Sequence, residues 1–377
     1  MKNVSICGSK LQHSMPFPNI IQAMQIEGVN VFCGLIHTED PEFDGNAPEN
    51  IWKILVKKRA FSCNYRDKNL ILKTAVNAPE DRFYTVGSDF VGQVVALGAE
   101  VTEFQVGDRV IGNNSYPDSG VVGLLPGVST NSASKEYQSF HQAKLLKIPR
   151  EMSDESAAAF GIGGQTAYSM IRKLEIKPGA NILVTAAKSN TSLFVINALK
   201  HHNVNLYATS TSLRFEQELK DIGVKQLIQV NHEDNDWLTT SKDMGQVYHE
   251  IGGFNYIIDP FFDLHIGKVI SLFVPRAGGK YITCGLYDQY SEFTGKDFQY
   301  HGLPFNQILA TMMLNNIHLI GNCLGTTEDL QQAIQDCANG QFPVVVDSLF
   351  KGDQIREFFE RTYNAKDRFG KVIYSYN

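Results

Sequence analysis

Asn64 and Tyr65, in the run AFSCNYRD (residues 60–67), set an amide and a phenol side by side, next to Arg66 and Asp67. A phenolic hydroxyl can donate a hydrogen bond or a proton, and an amide can orient a bound molecule. The competing reading of Tyr65 is an aromatic packed at a domain boundary. Arg66 and Asp67 read as an ion pair. A second constellation lies in AAKSNTS (186–192), between an apolar run and an amphipathic stretch. Ser189, Asn190, Thr191 and Ser192 can cap a helix, and hydroxyls beside the amides of a helix N-terminus suit a phosphate. Dinucleotide-binding turns normally carry glycines there, for a tight turn and close approach of backbone to pyrophosphate. Here Ala186, Ala187, Ser189 and Ser192 stand in their place. A plain βα turn capped by serine and threonine is the alternative.

The next apolar run ends YATSTSLR (207–214). An NAD-binding unit places a carboxylate near this point to take the ribose hydroxyls. None is present; Ser210, Thr211 and Arg214 suit a 2′-phosphate, which favours NADPH. A solvent-facing Arg214 is the other reading.

The elements that must position these groups follow from pattern. Strands are expected at Ile51–Val56 and Val86–Leu97, and residues up to about 149 read as a β-rich domain of short strands and turns. Residues 1–45 read as irregular. The Gly-, Ser-, Asn- and Pro-rich stretch 113–134 reads as a long loop. Beyond it, strands at Ile182–Ala186, Val204–Thr209, Gln226–Val230, up to Asp259 and at Lys280–Cys284 alternate with helices. That alternation predicts a doubly wound parallel sheet. His265 reads as a satisfied structural histidine, Cys63 as a small buried hydrophobe, and Tyr287 and Tyr290 as pocket walls.

The chain has 377 residues, enough for two domains, and a net charge of −6, which gives phosphate backbones or anionic lipid no basic field. No apolar run reaches the ~20 residues of a membrane helix, and no signal-peptide pattern opens the chain. The six cysteines form no C-x-x-C pair, as in reduced, cytoplasmic proteins.

With AFSCNYRD, the segments VGSDFVGQVVALGAEVTEFQVGDRVIG (86–112), GGQTAYSMI (163–171), KPGANILVTAAKSNTSLFVINALK (177–200) and DRFGKVIY (367–374) resemble the zinc-independent, quinone-oxidoreductase-like medium-chain dehydrogenase/reductases. The resemblance implies an α/β architecture. A GroES-like β-rich catalytic domain spans 1–150, completed by about 321–377, and a Rossmann NADPH-binding domain spans 151–320. It places Asn64 and Tyr65 at the catalytic position, Thr166 near the nicotinamide, and Cys284, Gly285 and Leu286 at the sheet's carboxyl edge. Lys371 then meets the NADPH phosphate, a surface lysine being the alternative. Where zinc-dependent relatives carry metal ligands, this chain has Asn64, Ser88 and Asp89, a poor set for zinc, so no metal is expected. The implied reaction is metal-free hydride transfer to an activated C=C bond. The substrate would be a quinone, an enone or, by a looser likeness to reductases of lanthipeptide maturation, dehydroalanine or dehydrobutyrine in a modified peptide. Metal-free carbonyl or alcohol redox chemistry, and a degenerate, non-catalytic binding protein, are the alternatives. A homodimer is also implied by resemblance.

Overall fold

The computed structural model describes residues 3–7, 22–35, 41–77, 83–288 and 301–376. Tyr290 lies outside them. The chain divides into two compact units, one of residues 1–165, 326–340 and 344–377, the other of residues 166–325 and 341–343.

The first unit is built on two sheets. Its strands are β1 (Asn3–Cys7), β2 (Gln22–Ile26), β3 (Val29–Gly34), β4 (Lys53–Ser62), then, after helix α1 (Tyr65–Asn77), β5 (Phe83–Thr85), β6 (Asp89–Leu97), β7 (Arg109–Gly112), β8 (Tyr137–His141) and β9 (Leu145–Lys147). The segment read as irregular instead forms part of a four-stranded sheet, ordered β2-β3-β1-β5. These strands are only three to six residues long, too short to show a period. The larger sheet runs β16-β17-β4-β6-β7-β9, with β8 also paired to β4; β16 is Val346–Lys351 and β17 is Lys371–Ser375. β17 pairs antiparallel with β4, Ile373 opposite Ser62, so the chain's end lies beside the strand that leads into Asn64. Phe61, Phe90, Phe358 and Tyr374 are among the fully buried side chains of this unit's core.

Helix α2 (Asp154–Leu174) begins in the first unit and continues into the second. The second unit's sheet is ordered β12-β11-β10-β13-β14-β15, every pair parallel. Its strands are β10 (Asn181–Val184), followed by helix α3 (Asn190–Leu199), β11 (Asn205–Ser210), β12 (Gln226–Gln229), β13 (Tyr256–Asp259), β14 (Gly279–Thr283) and β15 (Ile317–Gly321). In chain order this is 3-2-1-4-5-6, the doubly wound arrangement, in which ligands bind outside the carboxyl ends of the strands. β10 and β13 are wholly or almost wholly buried, as a sheet covered on both faces requires. No helix among the described residues is long and apolar enough to cross a membrane.

Candidate active site

In the first unit, β4 runs into α1 through Cys63 and Asn64. Asn64 stands at the N-cap position: its backbone N–H donates to Asp67 Oδ2 (2.7 Å), and Asp67 N–H donates to Asn64 O (3.0 Å). This reciprocal arrangement fixes the start of the helix and turns the Asn64 amide towards β6. Asn64 Nδ2 donates to Ser88 Oγ (3.0 Å) and Asp89 Oδ2 (2.7 Å), and Ser88 Oγ donates to Asp67 Oδ2 (2.7 Å). From β17, Lys371 Nζ donates to Asn64 Oδ1 (2.7 Å), Asp89 Oδ2 (3.1 Å) and Cys63 O (3.3 Å). Both partners of the Lys371–Asp89 ion pair are buried, with side chains 1% and 0% exposed.

Asn64, Ser88 and Asp89 are thus brought together, but around an ammonium supplied by the chain. An ammonium has three hydrogens, and Lys371 has an acceptor for each. This geometry commits Lys371 inside the first unit, where the resemblance had sent it to a phosphate. Burial pushes the Asp67 carboxyl up, opposed by Arg66, whose Nη1 lies 3.1 Å from Asp67 Oδ1. Tyr65, the first residue of α1, is half-buried, with Lys68 Nζ 3.4 Å from its hydroxyl. Cys63 is buried, and burial, reinforced by Asp67, holds its thiol well above the usual range, as befits a packing residue. Among the described residues no group of three or more His, Cys, Asp and Glu is placed to hold a metal.

The second unit holds the glycine-free turn. Ala186 adopts a φ of 47°, the left-handed region a glycine would take without strain. Ser189 Oγ caps α3 by accepting from Ser192 N–H (3.1 Å), and Ser192 Oγ donates to Thr185 O (2.7 Å). Ala187 N–H donates to Thr209 O (2.8 Å), tying the turn to β11. The two serine hydroxyls therefore hold the turn's shape. A phosphate at this end would meet the positive end of the helix dipole and first-turn amides other than Ser192 N–H, which Ser189 Oγ already takes. At the end of β11, Thr209 Oγ1 is buried with no hydrogen-bond partner. Ser210 is buried, its Oγ accepting from Ser212 N–H (3.2 Å), while Thr211 and Arg214 are exposed. No carboxylate stands among them, so the residues present fit a phosphorylated nucleotide.

Thr166 is buried on α2. Cys284, Gly285 and Leu286 follow β14. Phe262 N–H and Thr283 Oγ1 both donate to Gly285 O, and burial pushes the Cys284 thiol up to about 12. Tyr287 N–H is taken by Asp263 Oδ1 (2.6 Å), and its ring meets Phe261 edge-on.

Below the turn lies a buried network that no spacing in the sequence announces. Asp259, at the end of β13, accepts from Thr185 Oγ1 (2.6 Å), Phe261 N–H (2.9 Å) and Tyr281 Oη, and lies 2.8 Å from His265 Nδ1. Burial works to raise the Asp259 carboxyl, yet His265, Thr185 and Tyr281 hold it below its ordinary value. Thr185 thus links this network to the turn.

Residues 51–150 match the alcohol dehydrogenase GroES-like domain. A crotonyl-CoA carboxylase/reductase from Cereibacter sphaeroides is 26% identical over 70% of this chain and 66% of its own length. A quinone oxidoreductase from Pseudomonas aeruginosa is 30% identical over 53% of this chain and 58% of its own. The crystal structure of an NAD-dependent alcohol dehydrogenase shares the fold, with a TM-score of 0.72 at 22% identity, covering 90% of this chain and 95% of that one. The chain is thus similar to medium-chain dehydrogenase/reductases, sharing their GroES-like domain over residues 51–150 and their fold over most of its length. The first unit contains the GroES-like domain, and the second has the Rossmann strand order.

Proposed function

We propose that the protein is an NADPH-dependent reductase of an activated C=C bond. The observation that carries this reading is the Lys371–Asp89–Asn64–Ser88 network. Its amide, hydroxyl and single carboxylate, neutralised by an internal ammonium, are a poor donor set for zinc. Without a strong Lewis acid, the site must act by hydrogen bonding and proton donation. A conjugated C=C needs a hydrogen-bond donor for the developing enolate oxygen and a proton for the α-carbon. A well-placed donor contributes about 3 kcal/mol. A nicotinamide nucleotide supplies the hydride when bound. Tyr65 then serves as donor and acid, and Asn64, held in one orientation by Ser88, Asp89 and Lys371, orients substrate or ribose. The relatives named for crotonyl-CoA and quinone reduction support the same class.

The choice of NADPH rests on Thr211 and Arg214, exposed just after β11 in a stretch, 207–214, whose sequence contains no carboxylate. A charge-assisted contact contributes roughly 1.5–3 kcal/mol, so Arg214→Ala should reduce the preference for NADPH over NADH about 10- to 100-fold. Thr166, Ala187, Asn190, Thr191, Cys284, Gly285 and Leu286 complete the proposed nucleotide site. The proposed substrate is a quinone, an enone or a modified peptide. The 113–134 loop contributes Asn113, Ser119 and Val121 to a groove of about 980 Å³ in the first unit. There, Asn113 Oδ1 and Gln142 Oε1 are buried acceptors without partners, suited to peptide N–H groups.

Absorbance at 340 nm, with a quinone, an enone and a dehydroalanine peptide, tests the reading. Oxidation of NADPH by at least one of them is expected. Zinc-dependent alcohol oxidation instead would overturn it. Failure of NADPH below millimolar to change the fluorescence of Trp237, buried in the second unit, would point to the non-catalytic alternative.

A further inference from the structure

Tyr65 and Lys68 are three residues apart in the first turn of α1, which puts both on one face of the helix. Lys68 Nζ lies 3.4 Å from Tyr65 Oη and 4.4 Å from the ring centroid. The lysine is 6% exposed, so water screens it little. Its ammonium is paired at 3.0 Å with Glu27 Oε1. Glu27 sits in the turn between β2 and β3, at a φ of 49° next to Gly28 at 78°. The small N-terminal sheet thus ends in a carboxylate aimed at the head of the catalytic helix. Other charged or titratable groups among the described residues near the head of α1 include Arg66 and Asp67 on α1, Cys63 before it, Asp89 on β6, Lys371 on β17 and Tyr363 on the helix Ile355–Tyr363. Arg66 pairs with Asp67, and Lys371 with Asp89, so each pair largely cancels its own field.

We propose that Lys68, anchored by Glu27 of the N-terminal hairpin, is a positioning residue that polarises the Tyr65 hydroxyl for proton donation. The role of Tyr65 as acid rests on the function proposed above; its polarisation by Lys68 does not. An unperturbed phenol holds its proton to about pH 10, too tightly for efficient donation near neutrality. An opposite charge within about 4–6 Å favours the ionised form, and the Lys68 ammonium meets that condition. In the proton step, the O–H bond of Tyr65 breaks as a C–H bond forms at the substrate's α-carbon, using the enolate's electron pair. The phenolate left behind faces the ammonium and regains its proton from water. Glu27 limits the effect by countering part of the lysine's charge.

Alkaline ultraviolet difference titration of the full chain, referenced to Tyr65→Phe, reads the Tyr65 hydroxyl without nucleotide or substrate. Lys68→Met is expected to raise its midpoint by about one pH unit or more. Glu27→Gln is expected to lower it, and Lys68→Arg to keep it near the parent. Opposite displacements separate polarisation from packing, because a merely structural loss would not reverse sign between the two variants. Displacements in one direction, or none in a folded Glu27→Gln protein, overturn the proposal. Because Glu27 is 41% exposed, that variant keeps the test available if Lys68→Met does not fold. With an active substrate, Lys68→Met should lower kcat more than it changes KM and move the alkaline limb of the pH profile upward. The expected titration in a protein inactive on every substrate supports the polarisation and removes the proposed function. Activity with an unmoved titration does the reverse.

Discussion

Lys371 and Asp89 show what single residues decide in this protein. A buried ion pair is a modest source of stability, but removing one partner leaves the other charged and dry. In Lys371→Met, Asp89 keeps Asn64 Nδ2 and Ile162 N–H as donors among the described residues. A loss of about 3–5 kcal/mol in urea unfolding is expected. Adding Asp89→Asn should recover part of it, and a loss under about 1 kcal/mol in the single variant would contradict the pairing. Ala186 is the converse case, a residue the backbone tolerates under strain. The left-handed region costs a non-glycine residue about 1–2 kcal/mol, and glycine gives back roughly 0.5–1 kcal/mol in chain entropy. Ala186→Gly should therefore stabilise the protein by about 0.5–1 kcal/mol, read as a higher denaturant midpoint. A lower midpoint would mean the alanine methyl packs usefully. Ser189 was legible in the sequence because capping is local chemistry. Lys371's partners were not: Asp89 lies 282 residues away in sequence, and no spacing rule reaches that far.

At the scale of elements, the same division between local and distant holds. The β10–α3–β11 unit was readable from an apolar run, a cap and a second apolar run. The glycines of FGIGG in α2 suggested only a broken helix. The structure gives one of them a purpose, since a Cβ on Gly161 would come within 2.8 Å of Asp89 Oδ1. β4 is the clearest case of tertiary override. Its VKKRAF run looks half solvated, yet Lys58 is 1% exposed. Lys58 Nζ donates to Ser132 O (2.8 Å) and Gln138 Oε1 (2.6 Å), over the ring of Phe90. Burial, helped by Lys135, holds the group well below its usual 10.5. From the lowered folded value up to 10.5, the unfolded chain binds more protons than the folded one, so stability rises with pH. Below that window the burial cost is fully felt. Urea midpoints between pH 7 and pH 10 should therefore climb in the parent relative to Lys58→Met. Parallel curves would show that Lys58 stays charged when folded.

For the whole molecule, the design question is what covers the β15 edge of the second unit's sheet. β15 pairs only with β14 among the described strands, which leaves one row of its backbone groups unpaired by the sheet. Beside it in sequence, the helix Phe305–Asn315 exposes Phe305, Leu309 and Met313, four residues apart and hence on one face, with Leu314 next to them. Met313 and Leu314 are 78% and 76% exposed, and Leu319 on β15 is exposed as well. An open apolar edge is an aggregation hazard that proteins cover or pair. The simplest closure is a second copy about a two-fold axis, which sets β15 against itself and buries the helix face in the same interface. We therefore propose a homodimer through this edge. Sedimentation of the parent at micromolar concentration should give twice the chain mass, and Leu319→Lys with Met313→Asp should give a monomer that keeps the fold by circular dichroism. A parent that sediments as a monomer would exclude this interface. A double variant that remains dimeric would move it to another face of the molecule.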